Sequence, residues 1–523
     1  MSKVLLAFDT DRVKEYVFAT GALRDIRGAS ALLDQLNRSQ MPRLVQQVDP
    51  DARAIYANGG SGLFVVDHSH VEAAQRAVQQ EYRQRTEIAS VSAASVELPA
   101  AHEDIHRQWR QLAYRLRAAK DRNPPVEELT SHALLRPCEA CGLRYSTSRW
   151  QGPEDEQRLC GGCQRKREED SRVKSAISRW LDEPQLTSQP SDPLWRRLLA
   201  SLRTAGYPLS PALSRPEEFD TLATASQPEG YLGLIYADGD GIGRELEQLG
   251  TLKEIGQFAR AVDAAAYDAL VQAIGQHLHP VATPEGPVFP FDVLLLGGDD
   301  LVLVTVADRT LEVALSLVEG FAEKTRKQLG RPLRLSAMVV LAHARYPFGA
   351  LLKLAESGLL FAKQEAARQR QKQEGLLNFL VVSSPNHLDF ASYVERTLRQ
   401  RAPTSDHPLE RTLRPYSAAG FRQLLASARR LKQAPRSRLQ QLRKACFLDF
   451  QGGRLEARAT LLRWRESAER EEVQALVRAY DGAQQVDFPW FYERTRKLWR
   501  TPLIDVVEIL DFVAAEEGDA RAT

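Results

Sequence analysis

The first hundred residues alternate between two hydrophobic periods. Val4–Phe8 is a short apolar run, which predicts a strand. From Leu23 to Val48 apolar residues recur at three- and four-residue steps, which predicts helix with a break at Pro42. Arg53–Val66 reads as strand, glycine-rich turn, strand, because glycine accepts the positive φ of a tight hairpin. A helix over His70–Arg85 and a strand over Ser90–Leu98 complete a β-α-β-β-α-β order. The same order returns later. Tyr231–Tyr236 is a strand, Ala237–Gly243 a loop and Leu252–His277 a helix. Asp292–Leu296 and Leu301–Val306 are strands around Gly297-Gly298-Asp299-Asp300, and Leu311–Lys327 and Leu333–Ala342 add a helix and a strand. One extra helix–strand pair follows, Phe348–Arg368 and Leu377–Val382.

Two other stretches lack this alternation. Residues 101–230 are polar and irregular, hold four of the cysteines, and include a Pro- and Ser-rich linker at 182–193. Residues 385–523 show helical periodicity, many Arg and Leu, and no clear strand alternation, which predicts a helical bundle. The expected fold is α+β. It has a first ferredoxin-like unit (1–100), a helical linker domain with a zinc-ribbon-like cysteine set (101–230), a second such unit with an acidic turn (231–384) and a C-terminal helical domain (385–523). The repeat is visible in the residues: LLAFDTDRVKEYV at 5–17 aligns with LGLIYADGDGIGREL at 232–246, and AIYANGGSGLFVV at 54–66 with VLLLGGDDLVLVT at 293–305. Two halves of this kind suggest a pseudo-dimer around a shared cleft.

Composition narrows the function classes. The 523 residues include 70 Lys+Arg and 68 Asp+Glu, a net charge of +2, so any nucleic-acid surface is a local patch rather than a basic coat. Five cysteines do not make a disulfide scaffold, and four of them stand in two CxxC pairs, which points to metal in a reducing compartment. No apolar run approaches the roughly 18 residues of a membrane span, so a cytoplasmic protein with no membrane partner is expected.

The acidic turn is the strongest chemical signal. Asp299 and Asp300 lie between two aliphatic runs that read as strands buried on both faces, and Asp238 and Asp240 end another buried strand of the same unit. In this topology the first strand and the hairpin are neighbours, so the carboxylates converge. Convergent carboxylates repel unless a cation lies between them, and hard aspartate oxygens suit Mg²⁺ or Mn²⁺. Two such ions would serve an in-line nucleotidyl transfer. The plainer reading, a solvated polar turn, also fits Gly-Gly-Asp-Asp.

These residues resemble the nucleotidyl-transferase palm shared by GGDEF-type cyclases, nucleotide cyclases and the large subunit of type III CRISPR complexes. GGDD at 297–300, ADGDGIG at 237–243 and Ala362-Lys363 match the CRISPR version, and FDTDRVKEYVFATGALRDIRGASALLDQLNR is similar to its inactive first palm. The resemblance implies two palms, a zinc-containing insertion and a helical C-terminal domain. It also implies joining of ATP into cyclic 3′–5′ oligoadenylates on target-RNA binding, with sister subunits and a guide RNA as partners. Carried over, Asp238, Asp299 and Asp300 are the catalytic metal ligands, and Gly239, Asp240, Gly241, Gly297 and Gly298 line the nucleotide. Lys363 contacts the triphosphate, its alternative being a surface lysine. Gly59, Gly60 and Ser61 of the degenerate hairpin hold a second ATP or serve only as a turn. Gly241 stands where asparagine is more usual, which bears on base or ribose recognition. The chain opens on the first palm and contains no His-Asp dipeptide, so HD-nuclease cleavage of DNA is not expected. Two rival readings stay open: a stand-alone GGDEF-like signalling cyclase, and a palm kept only as a scaffold.

Cys138-x2-Cys141 and Cys160-x2-Cys163, separated by 18 residues, fit a closed structural Zn²⁺ site. Cys446 reads as a small buried residue. Residues 429–444 hold seven Lys/Arg and no acid, either an RNA- or subunit-docking stretch or a solvated helix face. The aromatic run Phe488–Tyr492 reads as core before base-stacking surface. His68, His70, His277 and His279 join no acid or cysteine pattern in sequence and receive no ligand role.

Overall fold

The computed structural model describes residues 2–98, 105–122, 134–151, 156–368, 375–383, 389–400, 408–478 and 483–514. The last residue of the expected second palm, 384, and the chain's last nine residues lie outside these. The chain divides into two compact units: Met1–Thr221 with Gly241–Leu303 and Glu323–Leu333, and Leu222–Asp240 with Val304–Ala322 and Arg334–Thr523. Among the described residues no helix is long and apolar enough to cross a membrane.

The first unit opens on a four-stranded sheet. Its strands are β1 (Lys3–Thr10), β2 (Arg53–Asn58), β3 (Ser61–Asp67) and β4 (Val91–Glu97), in the order β2-β3-β1-β4. Helices α1 (Leu23–Gln35), α2 (Met41–Val48) and α3 (Val71–Thr86) connect them. The antiparallel register sets Ala7 opposite both Leu63 and Ala94. Alternate residues Leu5, Ala7, Leu63, Val65, Ala94 and Val96 therefore share one buried face, which α4 (His106–Arg122) covers through Leu112. The helix expected over 23–48 breaks at Leu36–Gln40, a π-helical turn, and not at Pro42. Pro42 stands in the first turn of α2, where its missing N–H costs no hydrogen bond.

The cysteine-bearing insertion supplies the hairpin β5 (Ser148–Gln151) and β6 (Glu156–Leu159), then the long helix α5 (Gly161–Asp182) and α6 (Leu194–Thr204). Residues 183–193 join α5 to α6 without regular structure, as the Pro/Ser composition predicts. Helix α5 lies directly on α1. A Cβ at Gly28 would fall 1.7 Å from the Lys166 carbonyl oxygen, so only glycine fits the crossing.

The second palm adds β7 (Tyr231–Gly239), α7 (Leu252–His277), β8 (Phe291–Gly297), β9 (Asp300–Val306), α8 (Thr310–Leu329), β10 (Leu335–His343), α9 (Phe348–Arg368) and β11 (Leu376–Val381). Its strand order, β8-β9-β7-β10-β11, begins with the order of the first palm. Helix α7 starts at a capping box, Thr251 with Glu254, as the Thr-x-x-Glu spacing requires. In the first unit α7 lies against β2: Arg260 Nη1 donates to the Ile55 carbonyl at 2.8 Å.

A buried charge cluster fixes β8 in that unit. Asp292, fully buried, accepts from Arg215 at 2.5 Å and from Arg27 at 3.3 Å. Arg27 reaches Asp170 of α5 at 2.9 Å. One cluster thus binds α1, α5 and the strand that leads to the acidic turn.

The C-terminal segment corrects the expectation of helices alone. The helices are there: α10 (Ala418–Arg430), α11 (Arg436–Ala445), α12 (Phe450–Leu462), α13 (Ala468–Arg478) and α14 (Leu503–Ile509). With them stand β12 (Arg399–Gln400), β13 (Leu409–Glu410), β14 (Tyr416–Ser417), β15 (Ala483–Asp487), β16 (Trp490–Glu493) and β17 (Leu498–Arg500). β14 extends the second palm sheet beside β11, and the other five form a sheet ordered β12-β13-β17-β16-β15. Strands of two to five residues are too short to show a period of two above the helical background. Trp490 and Phe491 are buried on β16, so the aromatic run is core, and Cys446 is fully buried.

Replacing Asp292 by Ala leaves Arg27 and Arg215 buried without their shared partner. We expect a loss of about 3–5 kcal/mol in the denaturant-induced unfolding of the first unit. A loss under about 1 kcal/mol would show that the cluster does not hold β8.

Candidate active site and zinc knuckle

The acidic turn is held from its own side of the first unit. Gly298 N–H donates to Asp263 Oδ1 on α7 at 3.3 Å. Arg38 grips Asp263 with two bonds, 2.9 and 2.7 Å, and takes Asp34 at 2.8 Å. A bidentate Arg–carboxylate pair is geometrically specific, so the turn rests on a fixed support. The Gly59–Gly60 turn meets this turn back to back: a Cβ at Gly297 would lie 2.9 Å from Gly59 Cα. Gly59, Gly60 and Gly298 all have positive φ. A cavity beside them is lined by Gly59, Gly60, Gly297, Asp300, Lys14 and Asn37 among others. Ser61 begins β3, with its hydroxyl 3.4 Å from the Asn58 carbonyl. Asp263 and Arg38 were not singled out in the sequence; a lone acid in a helix and a lone arginine 225 residues away carry no joint signal.

In the second unit, β7 continues past its apolar run. Asp238 pairs with Ser336 of β10 and Gly239 with Leu335, so the loop expected from Ala237 begins instead at Asp240. Ladder hydrogen bonds hold the Asp238 backbone, and Lys363 of α9 bonds to its carboxylate and, at 2.8 Å, to the Gly239 carbonyl. Lys363 is therefore part-buried beside an acid, not a solvated surface lysine. Asp240 is buried and accepts from Ser336 Oγ at 2.7 Å, while its Oδ1 has no hydrogen-bond partner among the described residues. Burial pushes the Asp240 carboxyl up to about 6, although the Ser336 hydroxyl, Lys363 and Arg334 favour its charged form. Gly241 follows with φ 76° at the start of the short helix Ile242–Glu247.

The first palm repeats this arrangement. Asp9 pairs with Ser92 in the sheet, Ser92 Oγ donates to Asp11 at 2.8 Å, and Lys120 of α4 lies 2.5 Å from Asp9. The alignment of 5–17 with 232–246 sets Asp9 and Asp11 opposite Asp238 and Asp240, but neither these acids nor Lys120 was singled out in the sequence.

The four cysteines come together in the first unit. One sulfur from each lies within 4.8 Å of the others, and Cys141 and Cys160 are 4.0 Å apart. Thiolates about 2.3 Å from a tetrahedral Zn²⁺ stand roughly 3.8 Å apart, so the set fits that ion. Gly142 N–H closes the first turn onto the Cys138 carbonyl at 2.9 Å. Cys160 precedes α5 and Cys163 lies in its first turn, where the helix N-terminus favours thiolate.

Residues 231–372 match the family model described as the second palm domain of Cas10/Cmr2. No curated protein matches the chain by sequence. Solved structures share the fold along 98% of this chain. A Csm1–Csm4 cassette in complex with pppApA aligns with TM-score 0.56 and 13% identity over 70% of that chain. The cassette with cA4 aligns at 0.53 and 14% over 69%. The Csm1–Csm4 subcomplex of the type III-A CRISPR-Csm interference complex aligns at 0.55 and 14% over 70%. Residues 231–372 are thus Cas10-like, and the chain as a whole is similar in fold to Csm1–Csm4 structures of type III-A CRISPR complexes.

Replacing Cys138 by Ser removes one of four thiolates. We expect one bound zinc fewer per chain, measured by elemental analysis, and a lower melting temperature. Unchanged zinc content would mean that the four sulfurs do not share an ion.

Proposed function

We propose that this protein is a nucleotidyl cyclase of the type III CRISPR large-subunit kind, joining ATP into cyclic oligoadenylates when its complex binds target RNA. One observation carries the reading: the palm match at 231–372 spans Asp238, Asp299, Asp300 and Lys363, and the Gly-Gly-Asp-Asp turn within it is pinned through Asp263. The similar Csm1–Csm4 cassettes were solved with ATP, cA3 and cA4. Aspartate oxygens fit Mg²⁺ or Mn²⁺, and Asp238, Asp299 and Asp300 would hold two such ions. When bound, paired ions acidify an attacking 3′-hydroxyl and stabilise departing pyrophosphate.

The chain's residues account for the rest. The ladder partners of Asp238 hold its strand end in one unit, and Asp263, gripped by Arg38, holds the Gly298 N–H of the turn in the other. Acids mounted on such supports would need little reorganisation during the reaction. Lys363, beside Asp238 and the Gly239 carbonyl, places a cation where an incoming triphosphate would meet the strand end. Gly239, Gly241, Gly297 and Gly298 leave room for close backbone approach. The degenerate hairpin, with Gly60 and Ser61 where the other has Asp299 and Asp300, is suited to hold a second ATP but not a metal pair. The partners would be a Csm4-like sister subunit, guide RNA and target RNA.

Purified protein, alone and with sister subunits, guide and target RNA, would be incubated with labelled ATP and Mn²⁺. Cyclic oligoadenylate is expected with the complex. Asp299→Ala plus Asp300→Ala should reduce it to the uncatalysed background without changing zinc content. Lys363→Met, which removes a partner of a metal ligand, should cost about 10–100-fold. Product that survives the double substitution would leave the palm a scaffold. Constitutive product from the lone chain would favour a stand-alone cyclase.

A further inference from the structure

We infer that the first palm holds a second, separate divalent metal site, built from Asp49, Asp67 and His70. A donor atom from each of the three lies within 4.8 Å of the others. Three neighbouring pieces of chain deliver them. Asp49 caps the end of α2, Asp67 ends β3, and His70 lies in the turn between β3 and α3. The sequence hid this grouping, because its acids flank β2 and β3 and meet only when that hairpin folds.

The hydrogen bonds define what is left over. Asp49 Oδ1 accepts from Asp51 N–H at 3.1 Å and Oδ2 from Asp67 N–H at 2.8 Å, so its carboxylate is oriented with a lone pair remaining on each oxygen. Asp67 Oδ2 accepts from Lys3 at 3.2 Å. Asp67 is only 6% exposed, yet its Oδ1 has no hydrogen-bond partner among the described residues. His70 Nδ1 is likewise sealed from solvent without one. Two buried ligand atoms in one small cluster therefore lack any bond, a costly arrangement unless something joins them.

The spacing discriminates between a proton and a metal. His70 Nδ1 is 3.7 Å from Asp49 Oδ1, well beyond the 2.7–2.9 Å of a charge-assisted N–H···O bond. Two donors each about 2.1 Å from a tetrahedral ion stand roughly 3.4 Å apart. The distance is close to that of shared ligation. One imidazole and two carboxylates suit a divalent first-row transition ion, Zn²⁺ or Mn²⁺, and three protein ligands leave a position for water. Lys3 offsets one of the two carboxylate charges. β3 runs from Ser61 at the glycine turn to Asp67, so this site lies a strand's length, about 20 Å, from the turn. Its role is to staple the end of α2 to the far edge of the palm hairpin, apart from nucleotide chemistry.

The test counts zinc in full-length protein carrying Asp299→Ala and Asp300→Ala, so that the acidic turn adds no ion. Protein stripped by chelator, re-equilibrated with zinc and desalted would be analysed by inductively coupled plasma mass spectrometry. The parent should hold one zinc at the cysteines and a second here. His70→Gln should lose one equivalent, and His70→Cys, which restores a ligand atom, should regain it. His70 is part-exposed, so both variants should fold, checked by circular dichroism in chelator. Equal zinc in parent and His70→Gln would overturn the site and leave a plain ion pair. Loss in both variants would overturn the ligand role of His70. Should His70→Gln fail to fold, Asp67→Asn would carry the same count against the parent, with one zinc fewer supporting the site and equal zinc overturning it.

Discussion

The carboxylate of Asp292 is the anchor of the first unit. It is completely buried at the start of β8, and two guanidiniums, Arg27 from α1 and Arg215, neutralise it. Desolvating such charges costs several kcal/mol each, so losing one member leaves the others buried without compensation. The cluster's reach across three elements is what gives it architectural consequence. Besides Asp292, Arg27 donates to Asp170 and to the Pro216 carbonyl. Helix α5, which starts at the clustered cysteines, is therefore tied through one arginine to the strand that ends in the acidic turn. Gly28, the next residue, lets the two helices approach closely enough for that arginine to reach. The cysteine cluster, far from the acids in sequence, is thus linked through α5 to the strand that leads to the turn, because both contact the same buried charges.

The two β-α-β-β-α-β units keep much of one arrangement. Their strand order agrees, and so does their register, with Asp9 opposite Ser92 and Asp238 opposite Ser336. Each has a serine hydroxyl on the second acid and a lysine from a later helix on the first. What differs is the hairpin, where Gly60 and Ser61 replace Asp299 and Asp300. The acid–lysine pair of the first unit has a packing role. Lys120 ties α4 over the face of the sheet that the alternating residues of β1, β3 and β4 present. The pair therefore serves the core even where no second acid pair accompanies it.

The sequence made legible what short-range periodicity encodes. The hairpins, their glycine turns, α9 to the residue and the paired CxxC motifs all follow from local pattern. Three kinds of feature did not. Asp238 belongs to a strand because β10 pairs with it, which no local apolar count can register. Asp263 and Arg38 act through a contact between distant segments, and each alone is an ordinary surface-type residue. The C-terminal strands are so short that helical periodicity around them masks their alternation. In each case the deciding interaction is long-range, so single-segment reasoning had no signal to use.

Charge gives the same lesson at larger scale. With 70 basic and 68 acidic side chains, the chain is close to balanced, and the structure pairs many of them internally. Of the basic run at 429–444, Arg429 meets Glu312 at 2.9 Å, Arg430 meets Glu472 at 2.7 Å and Arg436 meets Asp511 at 2.6 Å. Lys432 and Arg438 bond to the carbonyls of Val513 and Arg463. A polyanion docking on those five would first have to displace a carboxylate or a carbonyl already in contact, which cancels much of the counterion-release gain that drives phosphate binding. Arg443 and Lys444 remain exposed on α11. Any phosphate contact made by this stretch therefore centres on its last two basic residues, and the rest of its charge serves the fold.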